Sequence, residues 1–492
     1  VLKQKDLYEI RTLSGQFKPG ILDGNLIEAK YTTPSAILEL MDGKLLVSDT
    51  ENHILRLIDG SSVSSYSGNI LDFDTQGFAV GAYNDGNKEN AFFDSPIGIT
   101  QDLQGNIYVA DSKNHAIRKV AADGTVTTIG GNGIQGNKDG VGKESQFNLP
   151  SDVVVDAKGN VYVADTLNHM IRKIDSNGKV TTLNKPSTRI VEYYSGAIVD
   201  TGEYKDGTLT EALFNEPSSL AIDGKGNLYV SDTGNQRIRY IDFTSNTVST
   251  VAGGGELSSE ALYVATGYKD GIALDARFAN PVGINLASDG TLLIADSNNH
   301  VIRILANGKV TTLAGQPKLE GKYDGVLSAA QFDQPTDVLE RKDGSIVVAD
   351  ASNNKVRVIQ RYLAEKHTED GQIHVLINSK LLESDVTTQI VEGRTYVPIR
   401  ALCEGLGYTV KSNVATHTYS IIVNENLEFV ISNNGANVIK VTPDGEEKLG
   451  EASLLYNDRL LVPVRFVSEQ LGFDVQWDGT AKHVVVRSKV FE

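Results

Sequence analysis

The sequence has very few of the residues that build disulfide frameworks and thiolate metal clusters. Among its 492 residues there is a single cysteine, Cys403, so an internal disulfide and a zinc site made of several thiolates are both excluded. Proline is also scarce, with 12 residues against 47 glycines. This ratio suits a chain with many tight turns, because glycine adopts the backbone angles that such turns require.

Long apolar runs are missing as well. No stretch of 18 consecutive apolar residues occurs, so we expect no transmembrane segment. The sequence starts at Val1 without a charged and then apolar leader, so we expect any secretion signal either to have been removed or not to be part of this sequence.

Basic residues are outnumbered by acidic ones. The chain has 46 Lys and Arg against 63 Asp and Glu, which gives a net charge of −17. Proteins bind nucleic acids largely by neutralising phosphates with Lys and Arg. A nucleic-acid partner is therefore not expected, unless the fold gathers a local basic patch.

What the sequence does contain is one segment repeated six times. Each copy has an anchor proline, an Asp 15 residues later, an Asn three residues further on, and an Arg four residues after the Asn. An Asp-Gly pair begins eleven residues before each proline. The anchors are Pro34, Pro96, Pro150, Pro217, Pro281 and Pro335. Self-similarity at fixed offsets indicates a repeat architecture.

Each repeat predicts four short strands. In the second copy they read IGITQD, NIYVAD, AIRKVA and TVTTIG, with glycine turn signals between them. The sixth copy lacks the last strand, and the segment Tyr8–Gly15 looks like that missing strand. We therefore predict a mainly β protein in which residues 1–364 form a six-bladed β-propeller, closed by the N-terminal strand.

Two repeated residues carry opposite charges. If the Asn-His pair forms a hairpin tip, Asp49 lies directly across from Arg56, and the same holds in every copy. The aspartates could form a metal-binding or catalytic ring, but we favour a structural ion pair because all six copies contain it. The residues are Asp49, Arg56, Asp111, Arg118, Asp165, Arg172, Asp232, Arg239, Asp296, Arg303, Asp350 and Arg357.

A histidine follows the repeated Asn in four copies, at His53, His115, His169 and His300. Equivalent points on adjacent blades should lie on the order of 10 Å apart at this distance from the axis. Zinc needs its nitrogen ligands at about 2 Å. The histidines therefore cannot chelate one ion together, and we interpret them as turn caps.

These motifs resemble the NHL repeat. The pattern P-x-G-[IV], followed by G-N-[ILV]-Y-V-[AS]-D-[ST]-x-N-[HQ]-x-I-R, covers roughly residues 6–364. The resemblance implies the propeller fold. It leaves the function open, because this family serves binding, sensing, RNA recognition and, in the peptidyl-hydroxyglycine amidating lyases, metal-dependent catalysis. The histidine ligands of those lyases match no position here.

The longest connections between blades are predicted to share one face of the propeller. They span residues 69–83, 184–204 and 255–268, and their aromatic side chains either form a recognition surface for sugars or peptides or fold down onto the blades. The preferred ligand-binding candidates are Phe73, Phe78, Tyr193, Tyr194 and Tyr263. At the channel mouth, most repeats carry a small residue two positions after the anchor proline, whereas two carry Asp152 and Asp337.

One oxygen-rich segment offers ligands for a structural calcium ion. It is LDFDTQG, Leu71–Gly77, and it lacks the regular spacing of a twelve-residue calcium loop. We predict no other cofactor.

Residues 371–492 are predicted to form a second, α+β domain with an internal duplication. The segment GRTYVPIRALCEGLGY, which begins at Gly393, is echoed 65 residues later by DRLLVPVRFVSEQLGF. In each copy a strand leads into a short helix that starts at Pro398 or Pro463. Cys403 lies on the apolar face of its helix and is interpreted as a core residue.

Residues 371–490 resemble the domain named after the N-terminus of copper amine oxidases. That module is common on secreted and envelope proteins of Gram-positive bacteria, so the resemblance implies an accessory surface domain and an extracytoplasmic location. Copper and quinone chemistry belongs to a different domain of those oxidases, and the three histidines of this segment lack ligand spacing.

We therefore expect a non-catalytic, secreted or envelope-associated binding or scaffold protein. Its propeller would present the loop face to a protein, a peptide or a cell-wall glycan, and the second domain would anchor or present it. The alternative is a metal-dependent hydrolase or lyase that acts at the channel mouth. The sequence specifies neither the ligand nor the oligomeric state.

Overall fold

The computed structural model describes residues 7–194, 197–363, 372–432, 438–450, 453–479 and 482–491. The chain divides into two compact units, one made of Ile10–Gln360 and the other of Arg361–Glu492 together with Leu2–Glu9. Within the second unit, the N–H of Tyr362 donates to the carbonyl of Leu7 (2.8 Å), and Tyr362 is buried with Leu376.

The first unit contains six antiparallel sheets, numbered here by their anchor prolines. Their inner strands are Pro34–Glu39, Pro96–Gln101, Pro150–Val155, Pro217–Ile222, Pro281–Leu286 and Pro335–Glu340. Their second strands are Leu45–Asp49, Ile107–Asp111, Val161–Asp165, Leu228–Asp232, Leu292–Asp296 and Ile346–Asp350. Their third strands are Ile54–Asp59, Ala116–Val120, Met170–Ile174, Arg237–Asp242, Val301–Ala306 and Lys355–Arg361.

The outer strands complete the sheets. They are Ser62–Ser67, Val126–Gly131, Lys179–Thr182, Thr247–Gly253, Lys309–Ala314 and, for the sixth sheet, Tyr8–Ser14. Short fifth strands are Gly24–Asn25, Gly140–Val141, Gly207–Thr208, Gly271–Ile272 and Asp324–Val326. The third connection contains a further hairpin, Arg189–Tyr194 with Ala197–Thr201.

The inner strands contact one another in sequence, and the sixth returns to the first. Residues of each sheet pack against the next in separate apolar clusters, such as Tyr162 and Ala164 of the third sheet with Phe214 and Leu220 beside the fourth. The sequence predicted a mainly β chain with the N-terminal strand in the last sheet. The β class is confirmed, and Tyr8–Ser14 lies next to Lys355–Arg361.

The second and third strands of each sheet are joined by a 3-10 turn, for example Thr50–Asn52. The register pairs Asp49 with Ile54 and places Val47 opposite Arg56. The predicted direct opposition of Asp49 and Arg56 is therefore wrong. The two side chains still meet, because residues two positions apart in a strand point to the same face of the sheet.

Every repeated arginine binds two aspartates. In the third sheet, Arg172 is 2.6 Å from Asp165 of its own sheet and 2.7 Å from Asp139 of the Asp-Gly pair. Asp165 also accepts hydrogen bonds from the Asn168 side chain (2.8 Å) and from the Asn148 N–H (2.7 Å). The equivalent inner pairs are 2.6–2.8 Å apart in four other sheets, and Arg118 and Asp111 form the remaining one.

All six arginines are fully buried, and each lies over the ring of an aromatic residue. Such a cation is tolerated in the interior because its charge is matched and its Nη groups donate to aspartates and backbone carbonyls, although the Nε of Arg56, Arg118, Arg172 and Arg357 has no hydrogen-bond partner among the described residues. The sequence analysis did not foresee that the Asp of each Asp-Gly pair is the second partner.

The residue after each 3-10 turn connects its sheet to the next one. His53 has a left-handed backbone (φ 58°), and its Nδ1 accepts the N–H of Ser95, which precedes the next anchor proline (2.9 Å). Gln236 and Asn354 accept the equivalent N–H groups at 2.7 and 2.9 Å. The last bond joins the sixth sheet to the first. The turn-cap residues therefore also link adjacent sheets around the whole ring.

The described residues of the second unit form three sheets and two helices. One sheet consists of Lys380–Leu381, His374–Ile377, His483–Arg487 and Asp474–Asp478. Another consists of Gln389–Val391, Arg394–Pro398, Arg459–Pro463 and Leu454–Tyr456. The third consists of Thr409–Asn413, Thr418–Asn424, Leu427–Ser432, Val438–Thr442 and Gly445–Lys448, and a last short strand is Val490–Phe491.

The helices are Ile399–Gly405 and Val464–Gln470, and each starts directly after its proline, as the duplicated motif predicted. Cys403 is fully buried in the core of this unit. Burial raises the pKa of its thiol to about 12, so the group stays protonated and unreactive. Among the described residues, neither these helices nor any other is long and apolar enough to cross a membrane.

Candidate binding site at the mouth of the central channel

The inner strands of the six sheets enclose a cavity of about 380 Å³. Its wall is built from the first few residues after each anchor proline, so every sheet contributes to it. The anchor pairs with the end of the second strand, as Pro34 does with Asp49, directly before the 3-10 turn. The cavity therefore lies toward the face that carries these turns and the long connections.

One position of the wall carries an acidic side chain in only two of the six sheets. The second residue after the anchor is Ala36, Gly98, Asp152, Ser219, Gly283 or Asp337. Each of the two acids reaches the next sheet. Asp152 accepts hydrogen bonds from the N–H of Leu220 (2.8 Å) and the hydroxyl of Ser219 (2.9 Å), and Asp337 accepts one from the N–H of Ile37 (2.8 Å).

Each acid depends on a glycine in the preceding sheet. A side chain at Gly98 would collide with the Cα and Oδ1 of Asp152, and one at Gly283 would collide with Asp337. The close approach of the inner strands thus requires glycine at these two positions. The sequence signal was present, because Gly and Asp alternate at the same repeat position, but we did not interpret the glycines.

Both acids titrate far above the usual range of a carboxyl group. Burial raises the pKa of Asp152 to about 6. Burial, with the nearby charge of Asp152 as a smaller contribution, raises the pKa of Asp337 to about 8. At neutral pH Asp337 is therefore largely protonated and can donate a hydrogen bond to a ligand, while Asp152 is mostly ionised. Together they can bind a hydroxyl or an amino group.

Three of the five predicted aromatic residues lie on the connections, at a distance from the cavity wall. Phe73, Phe78 and Tyr263 are 45–50% exposed, and none of them lines the cavity. Tyr263 donates to Glu216 (2.9 Å). The side chains of Tyr193 and Tyr194 lie outside the described residues. The structure therefore brings Asp152 and Asp337 together but does not join these aromatic residues to them.

The tyrosines before the Asp-Gly pairs behave differently. Tyr83, Tyr204 and Tyr268 lie against buried arginines, with ring centres 4.8–4.9 Å from Arg118, Arg239 and Arg303. They pack onto the sheets, which is the second of the two alternatives given for the aromatic side chains of the long connections.

The third and fourth connections cover one side of the channel face together. Arg189, in the hairpin of the third connection, donates to the carbonyl of Ser258 in the fourth (3.0 Å). Asn215 donates to the carbonyl of Leu262 (2.8 Å). These two connections are therefore joined to each other by hydrogen bonds.

Side chains suited to metal binding occur elsewhere. Among the described residues, one group of three lies together, namely His300, Glu320 and Asp333 beside the turn of the fifth sheet. The Nδ1 of His300 already accepts the N–H of Gln334 (3.2 Å). In the segment Leu71–Gly77, Asp74 Oδ1 accepts the N–H groups of Gln76 and Phe78. Calcium binding by that segment stays a prediction.

Comparison with known proteins agrees with this geometry. Residues 93–120, 147–174 and 214–239 match the NHL repeat, and residues 376–486 match the copper amine oxidase N-terminal domain. The chain contains NHL repeats. The NHL propeller is thus followed by a copper amine oxidase N-terminal domain, as the two resemblances implied.

Curated relatives share the propeller region. Protein SUPPRESSOR OF QUENCHING 1, chloroplastic, from Arabidopsis thaliana is 29% identical over 304 residues, which are 60% of this chain and 27% of the relative. The human NHL repeat-containing protein 2 is 27% identical over 340 residues, 64% of this chain and 44% of the relative. The chain therefore spans less than half the length of these relatives.

Solved structures share the NHL propeller fold. An auxiliary nutrient binding protein from Bacteroides thetaiotaomicron has a TM-score of 0.53 and 15% identity, covering 72% of this chain and 77% of that one. A similar protein from Bacteroides ovatus has a TM-score of 0.52 and 16% identity, covering 73% and 78%. At these identities the likeness is one of fold.

Proposed function

We propose that this chain is a non-catalytic, extracytoplasmic binding or scaffold protein whose propeller takes a glycan, peptide or protein ligand at the channel mouth. The observation that carries the proposal is the pair of acids in the cavity wall. A buried carboxyl without a cation is costly to maintain. Four of the six sheets place a small residue at the same position, so the fold does not need an acid there.

The chemistry of the wall suits recognition. Apolar strand residues, Ser and Thr hydroxyls and two carboxyl groups line a cavity of about 380 Å³, within the usual range for small-molecule sites. The exposed aromatic residues on the surrounding connections add contact area for a larger ligand. Two proteins of the same fold carry the description auxiliary nutrient binding protein, which accords with a binding role.

The alternative of a metal-dependent hydrolase or lyase at the channel mouth has less support. Among the described residues that line the cavity there is no His, Cys or Glu. The only acids among these described lining residues are Asp152 and Asp337, so a metal ion would find at most two carboxylate ligands there.

The C-terminal domain is proposed as an accessory or anchoring module, and the location as secreted or envelope-associated. The support is the type of domain, which resembles modules of secreted and envelope proteins. Protease accessibility of the native protein on intact cells tests the location. Protection equal to that of a cytoplasmic marker would contradict it.

Binding is tested by calorimetry with three probes: soluble peptidoglycan fragments, neutral chito-oligosaccharides and lysine-containing peptides. We expect one class to bind saturably, and the double variant Asp152→Asn/Asp337→Asn to weaken it about 10-fold, equivalent to about 1.4 kcal/mol. Asp343→Asn, in a turn between the first and second strands of the sixth sheet, is the matched control and should bind normally.

Two outcomes would count against the proposal. Equal affinity in the double variant and the control would remove the channel acids from the site. Conversion of any probe, lost after chelation and restored by zinc or iron, would favour the enzyme alternative.

A further inference from the structure

The duplication in the C-terminal unit creates two equivalent pockets. The tryptophan pocket, about 470 Å³, is lined by Arg394, by Phe466 at the start of the second helix, and by Trp477. The serine pocket, about 500 Å³, is lined by Arg459, by Ala401 at the start of the first helix, and by Ser412. Each pocket combines the hairpin arginine of one copy with the helix of the other. The sequence offset of 65 residues relates the two sets of residues.

The two pockets differ in their apolar lining. At equivalent positions Trp477 replaces Ser412, and Phe466 replaces Ala401. Trp477 is the only tryptophan of the chain, and 45% of it is exposed. The buried residues Val475, two positions earlier in the same strand, and Val484, opposite Trp477 on the next strand, lie beside it in the pocket wall. An exposed indole beside apolar residues offers a flat surface on which a ring can stack.

Their charges differ as well. The charged residues of the tryptophan pocket are two arginines, Arg394 and Arg465, and one acid, Glu469. The serine pocket also has two arginines, but four acids accompany them: Glu383, Asp385, Glu404 and Asp458. There Asp385 accepts hydrogen bonds from Nε (3.0 Å) and Nη2 (2.8 Å) of Arg459. In a chain with a net charge of −17, the tryptophan pocket is a local site of positive charge.

We propose that the tryptophan pocket binds an anionic saccharide, with a sugar ring stacked on Trp477 and the sugar carboxylate bound by Arg465 and Arg394. The C–H face of a pyranose is apolar and matches the indole. A guanidinium group binds a carboxylate through two parallel hydrogen bonds. The volume suits one or two sugar rings.

A nucleic acid fits less well, although a base could also stack on the indole. Its affinity depends on several cations that follow the phosphates along the strand. The pocket offers two arginines at one place, not a row of cations. A single carboxylate on one sugar is the better match.

This inference extends the accessory role proposed for the C-terminal unit, and it is tested separately from the channel site. Because Trp477 is the sole tryptophan, its fluorescence reports directly on the pocket. The probes are cellobiouronic acid, which ends in a glucuronate, and its neutral counterpart cellobiose. We expect a saturable fluorescence change with the acid and at least 10-fold weaker binding of cellobiose.

Substitutions then identify the side chains that bind the sugar. Arg465→Ala should weaken the acid about 10-fold and reduce its preference over cellobiose, while the fluorescence of Trp477 remains available as the signal. Arg400→Ala, the equivalent change in the serine pocket, is the matched control and should leave both affinities unchanged. Trp477→Ala, followed by calorimetry, should abolish binding of both sugars.

The double variant Asp152→Asn/Asp337→Asn should keep the full fluorescence response, because those residues belong to the other unit. Loss of the fluorescence response in this double variant would contradict the independence of the two sites. Equal affinity for both sugars would overturn the role of charge. No saturable response with either sugar, or tighter binding of an oligothymidylate, would overturn the assignment to a saccharide.

Discussion

The 3-10 turns between the second and third strands of the propeller differ from the wall of its channel in how strictly they repeat. At the turns, all six sheets use the same buried Asp and Arg, and His, Gln or Asn makes the same bond to the next sheet. In the channel wall, the second residue after the anchor is Ala, Gly, Ser or Asp. A residue that every sheet needs supports the fold, whereas a residue found in only two sheets is free to serve a ligand. The duplicated C-terminal unit shows the same contrast between Ser412 and Trp477.

The largest effect should come from breaking the repeated ion pair. Arg172→Met leaves Asp165 fully buried without its cation, which should lower the free energy of unfolding by about 3–5 kcal/mol. The control is Asp139→Asn, which removes the half-exposed partner and should cost about 1 kcal/mol or less. Denaturation followed by circular dichroism measures both, since the only tryptophan lies in the other unit. Equal losses would contradict the distinction between the two aspartates.

A smaller effect is expected where the channel wall depends on glycine. Gly98→Ala places a side chain against Asp152 and should destabilise the propeller by about 1–3 kcal/mol. Gly224→Ala, in a turn where nothing lies near the added atom and the backbone is not left-handed, controls for the loss of glycine itself. Comparison of the thermal unfolding temperatures of the two variants tests whether the close approach of the strands requires glycine. If Gly98→Ala were the milder change, the close approach of the strands would not require glycine.

The bond between sheets at the histidines predicts a dependence on pH. Burial lowers the pKa of His169 to about 4, against about 6.5 in the unfolded chain. Between these values the unfolded chain binds the extra proton, so the free energy of unfolding should fall as the pH drops from 6.5 to 4. His169→Gln should remove this component and keep the acceptor for the Glu216 N–H, as Gln236 does for Asn280.

His169→Leu is the matched variant that removes the hydrogen-bond acceptor of the Glu216 N–H. It should cost about 1–3 kcal/mol at pH 7, because the Glu216 N–H then lacks a partner. Stability curves from pH 4 to 8 for the three chains measure both effects. A Leu variant as stable as the Gln variant would show that the bond between sheets is dispensable.

The last effect concerns the channel acids and has the opposite sign. The pKa of Asp337 is raised to about 8 by burial, so the folded chain holds a proton that the unfolded chain has lost above pH 4. Stability should therefore fall as the pH rises through this window to 8. Asp337→Asn should flatten the dependence and raise the unfolding temperature at pH 9 by roughly 2–4 °C. A steeper alkaline loss in the Asn variant would contradict the raised pKa.

Repetition explains why so much of the fold was accessible from the sequence. Fixed offsets between Pro, Asp, Asn and Arg identified the strands, the turns and the N-terminal strand of the sixth sheet. The error in register arose because an ideal two-residue hairpin was assumed. A three-residue 3-10 turn followed by a left-handed residue shifts Arg56 by two positions, from opposite Asp49 to a diagonal contact.

The candidate sites were less accessible, because they depend on contacts between residues far apart in sequence. Asp152 and Asp337 were visible as departures from the repeat. Their bonds to Leu220 and Ile37, and the glycines that make room for them, are set by the spacing of adjacent sheets. The tryptophan pocket was not foreseen, because Arg394 and Trp477 are 83 residues apart and meet only where the two copies of the duplication pack together.

By itself the sequence determined the class of fold, the number of repeats and the identity of the residues that every sheet needs. These follow from periodic patterns, which local backbone and hydrogen-bond rules translate directly into strands and turns. Only the tertiary structure decided that each arginine binds a second aspartate, that the turn residues join neighbouring sheets, and that two acids share one cavity. The physical reason is that these features depend on distances between sheets, which are fixed by packing around the ring and not by any local pattern.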